Sequence, residues 1–340
     1  MDELVYFYPE GHAGHFEVGH PERPERVEVI RNSLDGSGLW EPFPHLLPLD
    51  LPEDVLKSVH SPAYLNLLEL TCRREGHLDS DTYTTNATWD LALKAAGGAA
   101  RVAAAVWEGN AHRGFALTRP PGHHATHGQG MGFCLLNNIA IAAEYLVRKY
   151  EAKRLVIIDF DLHHGNGTQD IFWERGDVFY FSTHQSPLYP GTGHLDDIGV
   201  GMGEGRTANF PLPPGSGDLA FNTILDEFIM PLLEGFNPQM ILVSYGFDPH
   251  WLDPLGQLLL TADGYGRLIS KLCNWADIHS AGKIALFLEG GYDLQAGSAC
   301  SLAVVSAMLG KPWKDAYPCQ YQEGSTWQII MERAHAIWKL

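Results

Sequence analysis

Five short runs of the chain are almost continuously apolar: Phe115–Thr118 (FALT), Leu155–Asp159 (LVIID), Val178–Thr183 (VFYFST), Met240–Tyr245 (MILVSY) and Ile284–Leu288 (IALFL). A strand with one wet face alternates between apolar and polar residues, whereas a strand buried on both faces does not. Helix-like stretches lie between these runs, near residues 135–150, 168–174, 218–235, 262–281 and 295–309. Buried strands alternating with helices predict a parallel sheet covered on both sides. The segment 24–110 reads mainly as helices (RPERVEVIRNSL, PAYLNLLELTCRR and NATWDLALKAAGGAARVAAAVWEG). These are expected to pack on the sheet, so residues 1–340 are read as a single catalytic domain, without repeats or a low-complexity linker.

The polar residues between the runs are not spread evenly. PPGHHATHGQG follows the first run, DFDLHHGNGT ends the second and STHQSPLYPGTGH ends the third. GFDPHWLDPLG follows the fourth and EGGYD follows the fifth. In a parallel sheet all five segments gather at one edge, where open α/β sheets bind their ligands.

Composition narrows the partners. The 340 residues are 45% hydrophobic, enough for a large core, and carry a net charge of −18. A chain this acidic repels nucleic acid and anionic membrane surfaces. No apolar run approaches the length of a membrane span, and the N-terminus lacks the apolar core of a signal peptide. The five cysteines include no CxxC pair, which disfavours a disulfide framework or a thiolate zinc site and favours a reducing cytoplasm.

Three sets of residues at that edge carry chemistry. Asp159, Asp161 and His163 alternate at i, i+2 and i+4, so an extended strand end turns them to one face. A lone DxD would read as a helix cap. DxDxHH, with Asp248 beyond another strand, reads as an Asp/His/Asp set for a divalent metal with an open position. His164 faces the opposite way and is read as structural. His123 and His124 form a tandem pair behind two prolines and a glycine, placed for proton transfer. Asp159 is the candidate acceptor for one of them and Asn166 for the other. An amide stabilises an imidazolium less than a carboxylate does, so the histidine paired with Asn166 is the better neutral base. Tyr292, behind two glycines, can reach the site and donate to an oxyanion. GVGMGEG (199–205) does not run from a buried strand into a helix and reads as a flexible hairpin, not a nucleotide loop.

Together, RPPGHHA, GFCLLNN, DFDLHHGNGT, SPLYPGTGH, GFD, DPLG and EGGYDL resemble the histone deacetylase family, which includes acetylpolyamine amidohydrolases. The resemblance runs from GHPERPERV (19–27) to 294, and Asn166 is similar to the class II branch. It implies an arginase/deacetylase-like three-layer α/β/α fold with a mainly parallel eight-stranded sheet. It implies one zinc ion on Asp161, His163 and Asp248, with His124 as general base and then acid, His123 as its electrostatic partner, and Tyr292 polarising the acyl carbonyl. Phe133, Gly132, Tyr189 and Gly291 would line a tunnel for an aliphatic chain, with Leu255 near its mouth and Asp81 binding substrate backbone at the rim. A structural potassium or sodium ion would lie on Asp159, Asp161, His163, Ser182 and Thr183, and a second near Phe172 and Val178.

The implied reaction is hydrolysis of the acyl amide of acetyl-lysine or a similar acyl-lysine. The alternative is an acetylpolyamine amidohydrolase, which can place a Glu where this chain has Leu255. A non-enzymatic acyl-binding relative would have lost Tyr292 or a metal donor. An arginase-type dimetal enzyme would need further carboxylates where this chain has His123 and His124. The sequence is compatible with an oligomer.

Overall fold

The computed structural model describes residues 2–340. Seven strands form one sheet: β1 (Asp2–Phe7), β2 (Ala111–Ala116), β3 (Leu155–Asp159), β4 (Val178–Gln185), β5 (Thr207–Leu212), β6 (Met240–Tyr245) and β7 (Ile284–Leu288). Their spatial order is β1-β2-β7-β6-β3-β4-β5, and every pairing is parallel. The two-residue side-chain period divides each central strand between two cores. Val156 and Ile158 of β3 join one apolar cluster with Phe181, Val243 and Leu286. Leu155 and Ile157 join the opposite cluster with Tyr180, Leu242 and Phe287. This double burial is why those runs are apolar without alternation.

Helices cover both faces. On one side α4 (Thr88–Trp107) packs against α5 (Asn138–Tyr150), β1 and β2, with α2 (Glu53–Val59) and α3 (Pro62–Arg73) outside them. On the other side α1 (Glu25–Gly36), α9 (Ala262–His279) and α10 (Leu294–Met308) pack together. Two further helices, α7 (Asp218–Ile224) and α8 (Met230–Phe236), run on through a wider turn at Leu225–Ile229. Between β3 and β4 lies α6 (Asn166–Phe172), and α11 (Gln328–Trp338) packs on the edge strand β5. Sequence-coded caps start several of these. Ser61 accepts from the Tyr64 N–H ahead of Pro62, and Asp293 accepts from the Ala296 N–H.

Three expectations need correction. The sheet has seven strands where the resemblance implied eight. Beside β1 the chain makes only an isolated parallel bridge, Tyr6 to His45. Pro44 and Pro48 flank that bridge and have no N–H to extend a ladder. Second, β2 begins at Ala111, ahead of the FALT run, because Arg113 is buried in the strand by its bonds to Asp277 and the Gly282 carbonyl. Third, 199–205 is no hairpin: β4 and β5 are parallel, and the segment holds a short 3₁₀ turn at Gly201–Gly203, tied to the Trp173 carbonyl by the Val200 N–H.

Candidate metal centre and active site

The parallel register aligns the strand ends: Asp159 pairs with Ser182 on one side and Ser244 on the other, and Ser244 pairs with Phe287. The loops that follow therefore meet over the middle of the sheet.

Local hydrogen bonds fix the segment after β3. The Asp161 N–H donates to Asp159 Oδ1 (3.0 Å), and the His163 N–H donates to Asp161 Oδ1 (2.9 Å). Asp248 arrives from the loop after β6 and accepts the Leu162 N–H on Oδ1 (3.1 Å). Its Oδ2 is buried without a hydrogen-bond partner. His163 Nδ1 lies 3.3 Å from both Asp161 Oδ1 and Asp248 Oδ2. Donors at about 2.0 Å from a tetrahedral ion stand about 3.3 Å apart, so these spacings fit a zinc-sized ion. Two glycines leave room for the carboxylates: a Cβ at Gly246 or Gly290 would strike both Asp161 and Asp248. Burial resists charging of His163, but the two carboxylates outweigh it and raise its pKa to about 9. A divalent cation can replace that proton. The donor set thus fits a borderline divalent metal with open coordination positions.

The tandem histidines are held from behind. Glu289, at the end of β7, accepts the N–H groups of Gly122 (2.7 Å) and His123 (3.1 Å) on Oε2 and the Ser244 hydroxyl on Oε1 (3.2 Å). His123 Nδ1 meets Asp159 Oδ2 at 3.0 Å, and Tyr180 donates to the same oxygen. His124 Nδ1 meets Asn166 Oδ1 at 2.8 Å. The two rings are 4.1 Å apart, with His163 5.9 Å from His124. Burial opposes charging of His123, but Asp161 and Asp159 outweigh it and raise the pKa to about 10. Burial and the neighbouring imidazolium charges hold His124 well below its ordinary value. The carboxylates thus favour the charged form of His123, while burial favours the neutral form of His124, whose Nδ1 meets the Asn166 amide oxygen and whose Nε2 is left to take a proton.

The remaining predicted residues surround this pair. Tyr292 is buried, with its ring edge-on to Phe133 at 5.8 Å. Tyr189 stands 5.2 Å from His124 and is partly exposed. Gly132 lies where a Cβ would meet both His124 and Tyr189, and both Gly132 and Phe133 take positive φ. Gly291 has φ +112° in the turn before Tyr292, and Leu255 is partly exposed. Asp81 is exposed; its carbonyl bonds His20 Nε2 (3.0 Å), and the His20 ring packs on Phe133 at 4.6 Å. Ser182 Oγ bonds His184 Nδ1 (2.9 Å), and Thr183 Oγ1 is buried without a partner. Phe172 ends α6 and Val178 begins β4. His164 has both ring nitrogens occupied, by Thr192 and Gln169, and stands outside the donor set.

Sequence reasoning missed three residues. Tyr180 lies within an apolar run and Glu289 just past one, and neither shows its partners locally because they are distant in the chain. Arg26, fully buried, donates to the carbonyls of Glu289 and Gly291 and lies 4.9 Å over the Tyr292 ring. Glu22 pairs with it at 3.0 Å and with Arg119 at 2.8 Å. The PERPER repeat of charge beside proline was the available signal.

Sheet order and donor placement define an arginase/deacetylase-like α/β protein. A family model described as histone deacetylase domain matches residues 20–308. A probable deacetylase of Archaeoglobus fulgidus is 42% identical over 300 residues, 86% of this chain and 82% of that protein. A histone deacetylase-like amidohydrolase of Pseudomonas aeruginosa is 36% identical, over 86% of this chain and 78% of that protein. The crystal structure of the HDA15 HD domain superposes with a TM-score of 0.90 at 33% identity, covering 99% of this chain and 94% of that one. The chain belongs to the histone deacetylase family, which groups deacetylases and amidohydrolases.

Proposed function

We propose that this protein is a zinc-dependent deacylase that hydrolyses the acyl amide of Nε-acetyl-lysine, or a similar acyl-lysine, to a carboxylate and a free amine. The observation that carries this reading is the unequal pairing of the tandem histidines, a carboxylate on His123 and an amide on His124. That inequality supplies a base and a cation side by side.

Asp161, His163 and Asp248 would hold the zinc, which when bound polarises the acyl oxygen and acidifies water. His124 Nε2 takes the proton of the attacking water, while Asn166 keeps Nδ1–H oriented. His123, charged against Asp159, stabilises negative charge developing nearby. Tyr292 donates its phenolic proton in a hydrogen bond to the oxyanion. His124 then returns its proton to the departing amine, which leaves as the C–N bond breaks. Phe133 and Tyr189 flank the approach and suit an apolar stem, since acylation removes the lysine charge. A potassium or sodium ion on Asp159, Asp161, His163, Ser182 and Thr183 is part of this reading, supported by the unpartnered Thr183 hydroxyl. So are a single catalytic unit spanning the chain and a cytoplasmic setting, the latter supported by five unpaired cysteines. No helix among the described residues is long and apolar enough to cross a membrane. One plant relative, at 41% identity, is named a chloroplastic histone deacetylase.

The second reading, an acetylpolyamine amidohydrolase, shares the chemistry and is favoured by the net charge of −18. Leu255 at the mouth favours the uncharged substrate. The test is a panel of fluorogenic acetyl-, longer acyl- and lactyl-lysine peptides with N-acetylputrescine, using zinc-loaded wild type, Tyr292→Phe and His124→Ala. A higher kcat/KM on the peptides, lost by about 10²-fold or more in Tyr292→Phe, is the expected result. Near wild-type turnover in both variants would sink the assignment.

A further inference from the structure

Asp253 is a buried carboxylate, five residues after Asp248, to which the mechanism gives no role. Three main-chain N–H groups from two separate loops converge on it. Oδ2 accepts from Tyr292 (2.6 Å) and Asp293 (3.1 Å), and Oδ1 accepts from Leu255 (3.0 Å). We propose that Asp253 is a positioning residue: its carboxylate ties the tunnel-mouth loop at Leu255 to the turn carrying Tyr292, and so sets where the phenol stands as oxyanion donor. The assignment rests on the deacylase reading.

The turn needs such a tie. Gly290 and Gly291 have no side chains with which to anchor it, and Gly291 sits at φ +112°, a conformation that side-chain-bearing residues rarely adopt. Its shape is therefore fixed by what its polar groups bond. On the acceptor side Arg26 takes the carbonyls of Glu289 and Gly291. On the donor side Asp161 takes the Gly290 N–H, and Asp253 takes the next two after Gly291. Beyond them Asp293 caps α10 through the Ala296 N–H (2.8 Å). Tyr292 is thus held between a rigid helix and the Asp253 carboxylate. The mouth loop is itself anchored, by the Asp253 N–H on the His250 carbonyl and the Trp251 N–H on the Leu260 carbonyl. Without Asp253, two buried N–H groups at the Tyr292 turn lose their acceptor, and the turn must shift to find others. A carboxylate is required, because an amide offers one oxygen and would point its own N–H₂ at the remaining donors.

The experiment combines a double-mutant cycle with amide hydrogen exchange. Asp253→Ala and Tyr292→Phe are made singly and together, with zinc content and thermal stability measured for each. On an acetyl-lysine peptide, Asp253→Ala is expected to lower kcat by about 10- to 100-fold with KM little changed. In the Tyr292→Phe background the same change is expected to cost less than about 2-fold, because the group it positions is gone. Exchange in peptides covering 289–296 and 253–257 is expected to quicken in Asp253→Ala with zinc bound. An equal loss of kcat in both backgrounds, or unchanged exchange at 289–296, overturns the proposal. Should Asp253→Ala fail to fold, Asp253→Asn carries the same cycle, since it keeps the volume. A wild type that hydrolyses no acyl amide overturns the deacylase reading instead, and exchange then decides the tie alone.

Discussion

Replacing Asn166 by Asp tests the division of labour between the two histidines. Asn166 Oδ1 lies 2.8 Å from His124 Nδ1; His124 is buried and Asn166 half-buried. A carboxylate there would place a full negative charge about 4 Å from the imidazolium centre. At an effective dielectric of about 20, that attraction is about 4 kcal/mol, equivalent to about 3 pKa units. Desolvation of the new carboxylate offsets part of it, leaving a rise of about 1–3 units. The sign is fixed by the role of the base. His124 works when neutral, and burial with its cationic neighbours holds its pKa well below 6.5. Activity is therefore present above that low pKa and lost as the pH falls through it. In Asn166→Asp the loss begins about 1–3 units higher. The assay is kcat/KM on an acetyl-lysine peptide from pH 5 to 9 for both proteins, with zinc content and thermal stability checked at each end. Superimposable acid limbs, with zinc and stability intact, would refute His124 as the titrating base.

Three further outcomes are expected. Gly290→Ala pushes a methyl group between Asp161 and Asp248, so zinc affinity measured by chelator competition should fall by about 10- to 100-fold; unchanged affinity would show that the cradle is looser than drawn. Zinc added to the metal-free protein at pH 7 should release about one proton, because His163 is held up to about 9 by Asp161 and Asp248, and the release should vanish above that pH. Proton-neutral uptake at pH 7, followed with a pH indicator, would contradict that pairing. Leu255→Glu should raise kcat/KM for N-acetylputrescine relative to an acetyl-lysine peptide, because it would put a carboxylate at the partly exposed position that the proposed function sets at the tunnel mouth; an unchanged ratio would remove Leu255 as a determinant of choice.

Much of the site could be read in advance because its signals are local. DxDxH carries its geometry in its spacing, and the buried strands announce themselves by lacking alternation. Acceptor chemistry pointed to Asp159 and Asn166 as the two partners of the tandem histidines, and the geometry then paired Asp159 with His123 and Asn166 with His124. What stayed hidden depends on contacts between remote residues. Glu289 serves N–H groups 166 and 167 positions away, and nothing in IALFLEGG reveals them. The edge strand TANFPL, with its Asn and Pro, does not look like a strand until β4 pairs with it. Arg113 lies ahead of the apolar FALT run, and its place in β2 depends on Asp277 and the Gly282 carbonyl, both remote in the chain. The helix α11 lay beyond the alternating pattern and was not anticipated.

The strand order also dictates when the molecule can become whole. The strands last in sequence, β6 and β7, occupy the middle of the sheet, between β2 and β3. As the chain is synthesised, β1–β2 and β3–β4–β5 emerge as two half-sheets whose open edges have no neighbours. The first donors, Asp161 and His163, must wait for Asp248, and Tyr292 arrives later still. Until residue 288 has left the ribosome the two halves cannot be bridged, so the candidate metal donors beyond β3 and β6 come together while the inner edges of the sheet are still bare.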